Sequence, residues 1–205
     1  MEVSVRPALI PDVPELARVL GTAFSDDPMI TWMIPQDAER PRRAAALFGT
    51  LVRHHYLRHG GVEVAFDDAG AMVGAAAWAP PGTWHISKYA SLPQLPGLIY
   101  ALRGRLMLAG RATDRMATVH PREPHWYLAF VGTLPSARGL GYGQALMNSR
   151  LDRCDIDRIP AYLESSRPDN VPYYERFGFE SADELDTAPS APPLWPMWRP
   201  PGGLD

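Results

Sequence analysis

The sequence predicts an α/β fold of the α+β kind, a single domain with a mixed, mostly antiparallel central sheet of about 6–7 strands flanked by helices. Three observations carry this. Two strand-like runs, GVEVAF and AMVGAAAW, flank Asp67-Asp68-Ala69-Gly70, the composition of a tight hairpin turn, so antiparallel strands are present. The run HWYLAFVGTLP, His125 to Pro135, is dense in aromatic and aliphatic residues and leads through a glycine loop and a helical pattern into the strand-like AYLESS. That order is a β-α-β unit, which places a parallel pair in the same sheet. Finally, 46% of the 205 residues are apolar, enough for one substantial core.

The elements follow in order. Val3 and Val5 alternate with polar neighbours as in a strand, and Pro11-Asp12-Val13-Pro14 opens a helix through Phe24. Asp27-Pro28 reads as the start of a turn. From Arg42, the positions Ala44, Leu47, Phe48, Leu51, Val52 and His55 keep helical spacing until Gly60-Gly61 stops it. His54, His55 and His59 resemble a metal cluster, but a solvated face near the helix C-terminus accounts for them better, and no metal is expected. Trp78-Ala79-Pro80-Pro81-Gly82 breaks the second hairpin strand. Residues 84–120 mix Pro and Gly with a helical stretch around Leu98 to Leu108 and read as an insertion forming one wall of an acceptor site. Beyond the glycine loop, Leu146, Met147, Arg150, Leu151 and Cys154 share a helical face. NVPYYERFGFE reads as a short helix with a turn, and LWPMWR as a last strand.

Charge and cysteine content exclude several function classes. Lys plus Arg number 20 against 23 Asp plus Glu, leaving no basic excess to hold a nucleic-acid backbone. The single cysteine, Cys154, excludes an intrachain disulfide and a multi-cysteine metal site, and fits a reducing, cytoplasmic setting. The opening MEVSVRPALIPDVPEL lacks the pattern of a secretory signal, and no stretch approaches the roughly 18 apolar residues of a membrane span. A soluble protein with neither nucleic-acid nor membrane partner is expected.

The stretch SARGLGYGQALMNSRL concentrates Gly139, Gly141 and Gly143 behind Arg138 at the mouth of a helix. A helix starting near Gly143 leaves its first amides without partners, and the flexible residues before it can turn their own N–H groups to the same point. Amides between Arg138 and Ala145 thus form a concavity for an anion. The helix dipole and the Arg138 charge favour a pyrophosphate. A P-loop would require GxxxxGK followed by Ser or Thr, and no lysine is present here. A dinucleotide loop would require G-x-G-x-x-G. Glu164 stands 21 positions after Gly143, where a ribose-binding acid would lie, but about 60 residues after the loop leave little room for a doubly wound sheet.

Arg138-Gly139-Leu140-Gly141-Tyr142-Gly143 satisfies the Q/R-x-x-G-x-G/A acetyl-CoA loop of the GNAT superfamily, and the chain resembles these acyl-CoA-dependent N-acetyltransferases. Over residues 124–180 it is similar to the puromycin N-acetyltransferases in WYLAFVG, AYLESS and NVPYYERFGF; the N-terminal half is only loosely similar. The resemblance implies a splayed parallel strand pair, a V-shaped opening between strands ending near Thr133 and Ser165, with acetyl-CoA as co-substrate. Its pyrophosphate would lie on Arg138, Gly139, Leu140, Gly141, Tyr142, Gly143 and Gln144, and its pantetheine arm along Val131 and Thr133. An amide of the splayed strand would polarise the thioester carbonyl. Glu164 would accept the amine proton, directly or through water, and Tyr174 would protonate the departing thiolate. The plain alternatives are an exposed strand-end carboxylate and a core aromatic. Tyr173 is expected to be structural. Asn170 would cap the helix carrying Tyr174 and reach the pantetheine arm.

For the acceptor, Asp26 and Asp27 would attract a cationic amine between Trp32, Trp78 and Trp84, although Asp before Pro is also a turn device and tryptophans commonly belong to cores. His125 is placed outside the site. The expected function is direct acetyl transfer, in a ternary complex, to the primary amine of a small molecule such as an antibiotic or aminonucleoside, by a monomer or homodimer. A protein lysine or N-terminal acetyltransferase, a non-catalytic acyl-CoA sensor and a dehydrogenase are the alternatives.

Overall fold

A computed structural model describes residues 3–85 and 91–202. The strands are β1 (Ser4–Pro7), β2 (Val62–Phe66), β3 (Met72–Ala79), β4 (Trp126–Thr133), β5 (Ala161–Ser165), β6 (Glu180–Ser181) and β7 (Trp195–Arg199). They form one seven-stranded sheet in the order β1-β2-β3-β4-β5-β7-β6. Every neighbouring pair is antiparallel except β4 and β5, which are parallel. The helices are α1 (Val13–Ala23), α2 (Pro28–Met33), α3 (Arg40–His54), α4 (Leu95–Leu102), α5 (Leu106–Val119), α6 (Tyr142–Asp157) and α7 (Val171–Glu175). Among the described residues no helix is long and apolar enough to cross a membrane.

Two expectations change in detail. Asp27-Pro28 does not merely turn: Pro28 takes the first position of α2, where its missing N–H is harmless, and the Asp27 carboxylate accepts the Ile30 amide at 3.0 Å as a cap. The single helical stretch expected around Leu98 to Leu108 is two helices, parted at Arg103, which adopts a φ of 48°. Ala101 and Leu102 of α4 and Ala109 of α5 pack into the same core as α3. Residues 86–90 of the expected insertion lie outside the described residues.

Helices cover both faces of the sheet, and β3 shows how its residues are divided. Ala75, Ala77 and Ala79 belong to the core beneath α1 and α3, whereas Ala76 and Trp78 belong to the core beneath α6. A strand buried on both faces reads as a continuous apolar run, which explains MVGAAAWA. Trp78 is fully buried and is therefore not an acceptor wall; strand alternation puts it on the sheet face opposite Glu164.

The feature that positions the site is the brevity of the β4–β5 pairing. It comprises Trp126–Ala161, Tyr127–Tyr162 and Leu128–Leu163. Immediately beyond, Ala129 is an extra residue in β4, because Ala77 opposes Phe130 while Trp78 opposes Leu128. Such a bulge bends its strand. β4 then continues to Thr133 along β3, while Glu164 and Ser165 pair with β7, so a gap opens between the parallel strands. The Leu134 amide donates to Val73 O at 2.8 Å, and strand alternation consequently turns the N–H and C=O of Val131 and Thr133 into that gap.

α6 is tied to the sheet by a buried ion pair between Arg150 and Glu63 of β2, at 3.0 Å with both side chains 7% exposed. The guanidinium also lies 4.3 Å over the Trp126 ring, which is why Arg150 sits on an otherwise apolar helix face. Replacing Arg150 by Met leaves the buried Glu63 carboxylate without its ion-pair partner. Urea unfolding should show a loss of about 3–5 kcal/mol, with Glu63→Met in the same chain recovering most of it.

Candidate active site

The glycine loop closes the wide end of the gap. Gly139 and Gly141 have φ of 77° and 89°, left-handed values that other residues adopt only with strain. Gly141 stands just before α6, and the first bond into the helix is from the Ala145 amide to Gly141 O at 2.9 Å. The Arg138 amide makes a long contact of 3.4 Å to Pro135 O. Among the described residues, the amides of Gly139, Leu140, Gly141, Tyr142, Gly143 and Gln144 have no hydrogen-bond partner. Gly139, Leu140, Gly141 and Gln144 are exposed, whereas the Tyr142 side chain is buried beneath α6 and anchors the loop. Gly143 serves close approach, since a Cβ there would lie 3.0 Å from the Tyr173 hydroxyl. The Arg138 guanidinium donates to Ala23 O at 3.2 Å, tying the loop to the end of α1.

The other rim carries Tyr174. Its ring packs edge-on to Tyr173 and Phe179, and burial, reinforced by Tyr173 and Asp27, raises the pKa of its phenol and keeps it protonated. Asn170 stands before α7 but makes no side-chain capping bond, contrary to expectation.

Asp27 does not face an open acceptor channel. It is 5% exposed; one oxygen caps α2 and the other accepts the Ser166 hydroxyl. Arg167 donates to the Asp26 carbonyl and pairs with its carboxylate at 3.2 Å. These bonds latch the α1–α2 turn to the segment after β5. Trp32 stays at the rim, its indole donating to Ser190 Oγ at 3.5 Å with the Arg105 guanidinium 6.0 Å over the ring.

Glu164 lies at the start of the gap and is not an exposed strand-end carboxylate. Its side chain is 2% exposed, Oε1 is 3.7 Å from His120 Nδ1, and the Tyr127 and Tyr162 hydroxyls approach it without a hydrogen bond of good geometry. Tyr56, Tyr127 and Tyr162 surround it. Burial first, and the Glu164 charge second, raise the pKa of all three phenols, so they remain neutral. His125, expected outside, belongs to this cluster: it is 2% exposed, its Nε2 is 2.9 Å from His120 Nε2, and its Nδ1 is 2.6 Å from Glu123 O. Trp84 stacks on His120 at 3.7 Å between centroids.

Sequence reasoning missed His120, Tyr56, Tyr127 and Tyr162. The one available signal was the shared alternation of Tyr162 and Glu164 in AYLESS, which puts them on one face. His55 is buried against Tyr56 and His59 instead of forming a solvated face, and among the described residues no group of ligands could hold a metal ion.

The arrangement thus sets free amides at the mouth of an opening, unpaired strand edge along one side, an enclosed carboxylate near its apex and a neutral phenol on the opposite rim. The family described as Acetyltransferase (GNAT) matches residues 24–179. An uncharacterized N-acetyltransferase of Schizosaccharomyces pombe, C550.08, is 30% identical over 182 residues, covering 82% of this chain and 70% of the yeast protein. A crystal structure from Corynebacterium glutamicum, described as histone acetyltransferase HPA2 and related acetyltransferase, superposes with a TM-score of 0.77 at 32% identity, covering 99% of this chain and 98% of that one. A phosphinothricin acetyltransferase from Sinorhizobium meliloti, in complex with AcCoA, shares the fold with a TM-score of 0.57 at 18% identity, covering 98% of this chain and 90% of that one.

Burial raises the Asp27 pKa, outweighing its hydrogen bonds and Arg167, so folding favours the protonated acid. That contribution is complete below the ordinary carboxylate pKa and is lost as pH rises through the raised value. Asp27→Asn keeps an acceptor for the Ile30 amide without the charge. Its melting temperature should exceed the parent's near about pH 7, and the difference should close below about pH 4.

Proposed function

The chain belongs to the acetyltransferase (GNAT) family and is an acetyl-CoA-dependent N-acetyltransferase; from that premise we propose that its acceptor is the primary amine of a small molecule, attacked directly in a ternary complex. The observation that carries this reading is the run of unpartnered amides from Gly139 to Gln144 beside the unpaired edge at Val131 and Thr133, with a carboxylate enclosed at the apex of the same opening.

Acetyl-CoA supplies an activated acetyl group as a thioester. The Gly139–Gln144 amides, the α6 dipole and Arg138 hold the pyrophosphate, Val131 and Thr133 offer main-chain groups to the pantetheine arm, and the uncapped Asn170 side chain joins them. Glu164 takes a proton from the attacking nitrogen, and Tyr174, held neutral by burial, protonates the leaving sulfur. Burial pushes the Cys154 thiol up to about 12, so the one cysteine is inert and a direct route is favoured over a cysteine-bound acyl intermediate.

Two features favour a small acceptor over a polypeptide. The carboxylate is ringed by Tyr56, Tyr127 and Tyr162, which admits a slender amine and excludes bulk. The latch from Asp26 and Asp27 to Ser166 and Arg167 ties the α1–α2 turn to the segment after β5 and leaves less room there for an extended peptide. Antibiotics and aminonucleosides are acceptors of this type. A thiol-release assay across amines, beside mass spectrometry of acetylated peptides, tests the choice; turnover on peptides alone would reject it.

Calorimetry should show acetyl-CoA binding that weakens about tenfold or more in Gly141→Val, because a β-branched residue cannot hold the loop's left-handed turn without strain. Tyr174→Phe should lower kcat about tenfold or more while leaving acetyl-CoA affinity within about twofold. Glu164→Gln should cost about 10²–10⁴ in kcat.

A further inference from the structure

Acetylating a charged amine expels one proton per turnover. The nitrogen of an ammonium loses two as the C–N bond forms and the C–S bond breaks; one ends on the coenzyme A sulfur, and the other must reach solvent. This question rests on the reading of Glu164 as the base. With a side chain only 2% exposed and enclosed by phenols that stay neutral, Glu164 does not itself meet bulk water while an amine fills the opening.

Hydrogen-bond directions around the neighbouring imidazoles show the alternative. His125 Nδ1 faces Glu123 O at 2.6 Å; a carbonyl only accepts, so Nδ1 carries a hydrogen. Burial lowers the His125 pKa, so the ring is neutral and its Nε2 bears a lone pair. His120 Nε2, 2.9 Å away, must therefore donate. That leaves His120 Nδ1 facing Glu164 Oε1 at 3.7 Å. With Nε2 donating, Nδ1 of the neutral ring carries the lone pair, so a vacant proton acceptor stands beside the Glu164 carboxyl group.

The groups packed on this pair are aromatic, and the nearest further charges are Glu123, which acts on His125, and Arg122, both in the wall of the cavity beside the imidazoles. Tyr127 approaches His120 from β4 and Tyr162 from β5, at 5.0 and 4.8 Å between ring centroids, Tyr56 faces Glu164 from the turn after α3, and Trp84 stacks on His120. Among the described residues no arginine is ion-paired with Glu164. Both imidazoles also line a cavity of 710 Å³ with Pro81, Trp84, Thr118 and Arg122. It lies before the first residue of β4, at the end away from the gap, which opens only after Leu128.

We propose that His120, backed by His125, is the proton exit of the reaction. Glu164 returns to its ionised state by giving the proton taken from the amine to the vacant His120 Nδ1, and the resulting imidazolium returns to neutrality by releasing one proton to water in the cavity that both imidazoles line. His120 acts through Glu164 and does not touch the substrates, so it is a positioning residue that also carries charge.

Two measurements test this, and they separate it from the reading of the function. Histidine ¹⁵N spectra of the free protein need no acceptor; they should show His125 protonated at Nδ1 and not at Nε2, and a proton on His125 Nε2 would overturn the path. With an amine that the parent protein acetylates, His120→Ala should lower kcat about tenfold or more with the KM for acetyl-CoA unchanged, and added imidazole, which fits the enlarged cavity, should restore at least about fivefold. His120→Gln, which keeps a donor toward His125, should show the same loss and an altered pH profile, and it decides the matter should the alanine variant fold poorly. Unchanged kcat and pH profile, or a loss that imidazole does not relieve in a folded variant, would refute the proposal. A parent protein that releases no thiol with any amine would instead refute the acceptor reading and leave the ring tautomers to be judged alone.

Discussion

The parting of β4 and β5 after three paired residues is the constraint on which the rest depends. Parallel strands that stayed together would satisfy each other's amides and carbonyls and leave no ligand edge. Here the bulge at Ala129 turns β4 aside while β7 keeps hold of β5, so Val131 and Thr133 present unpaired main chain to the opening. Loss of that pairing is tolerable because both diverging strands retain an antiparallel partner on their far side, and because helices cover both faces of the sheet.

The two ends of the opening are built by different physics. At the wide end the groups are main-chain: unspent amides at the start of a helix, with glycines that permit the turn and buried Tyr142 that holds it. Such a site recognises charge and shape and tolerates variation in side chains. At the apex the groups are side chains brought from five separate stretches: Tyr56, His120, His125 with Tyr127, Tyr162 with Glu164, and Trp84. Enclosing a carboxylate among phenols and imidazoles, with no hydrogen bond of good geometry on either oxygen, is costly for the fold. Local destabilisation of this kind is expected where a group must exchange a proton.

The latch between the α1–α2 turn and the segment after β5 joins these ends. It holds Asp27 near Tyr174 and spends a carboxylate that looked available for substrate on a cap and a hydroxyl instead.

Local patterns determined much of this protein. The hairpin around Asp67-Asp68-Ala69-Gly70, the β-α-β order, the glycine loop and the burial of the Leu146, Met147, Leu151 and Cys154 face are all written within a few residues of one another, and turn chemistry and periodicity act at that range. Glu164 and Tyr174 were singled out only through the motifs that contain them. The fate of Trp78, the two tasks of Asp27, the uncapped Asn170 and the gathering of His120 and His125 around Glu164 were decided by tertiary structure. Strand register and helix docking choose the face on which a side chain lands and the distant groups it meets, and neither quantity is encoded in the spacing of residues along the chain.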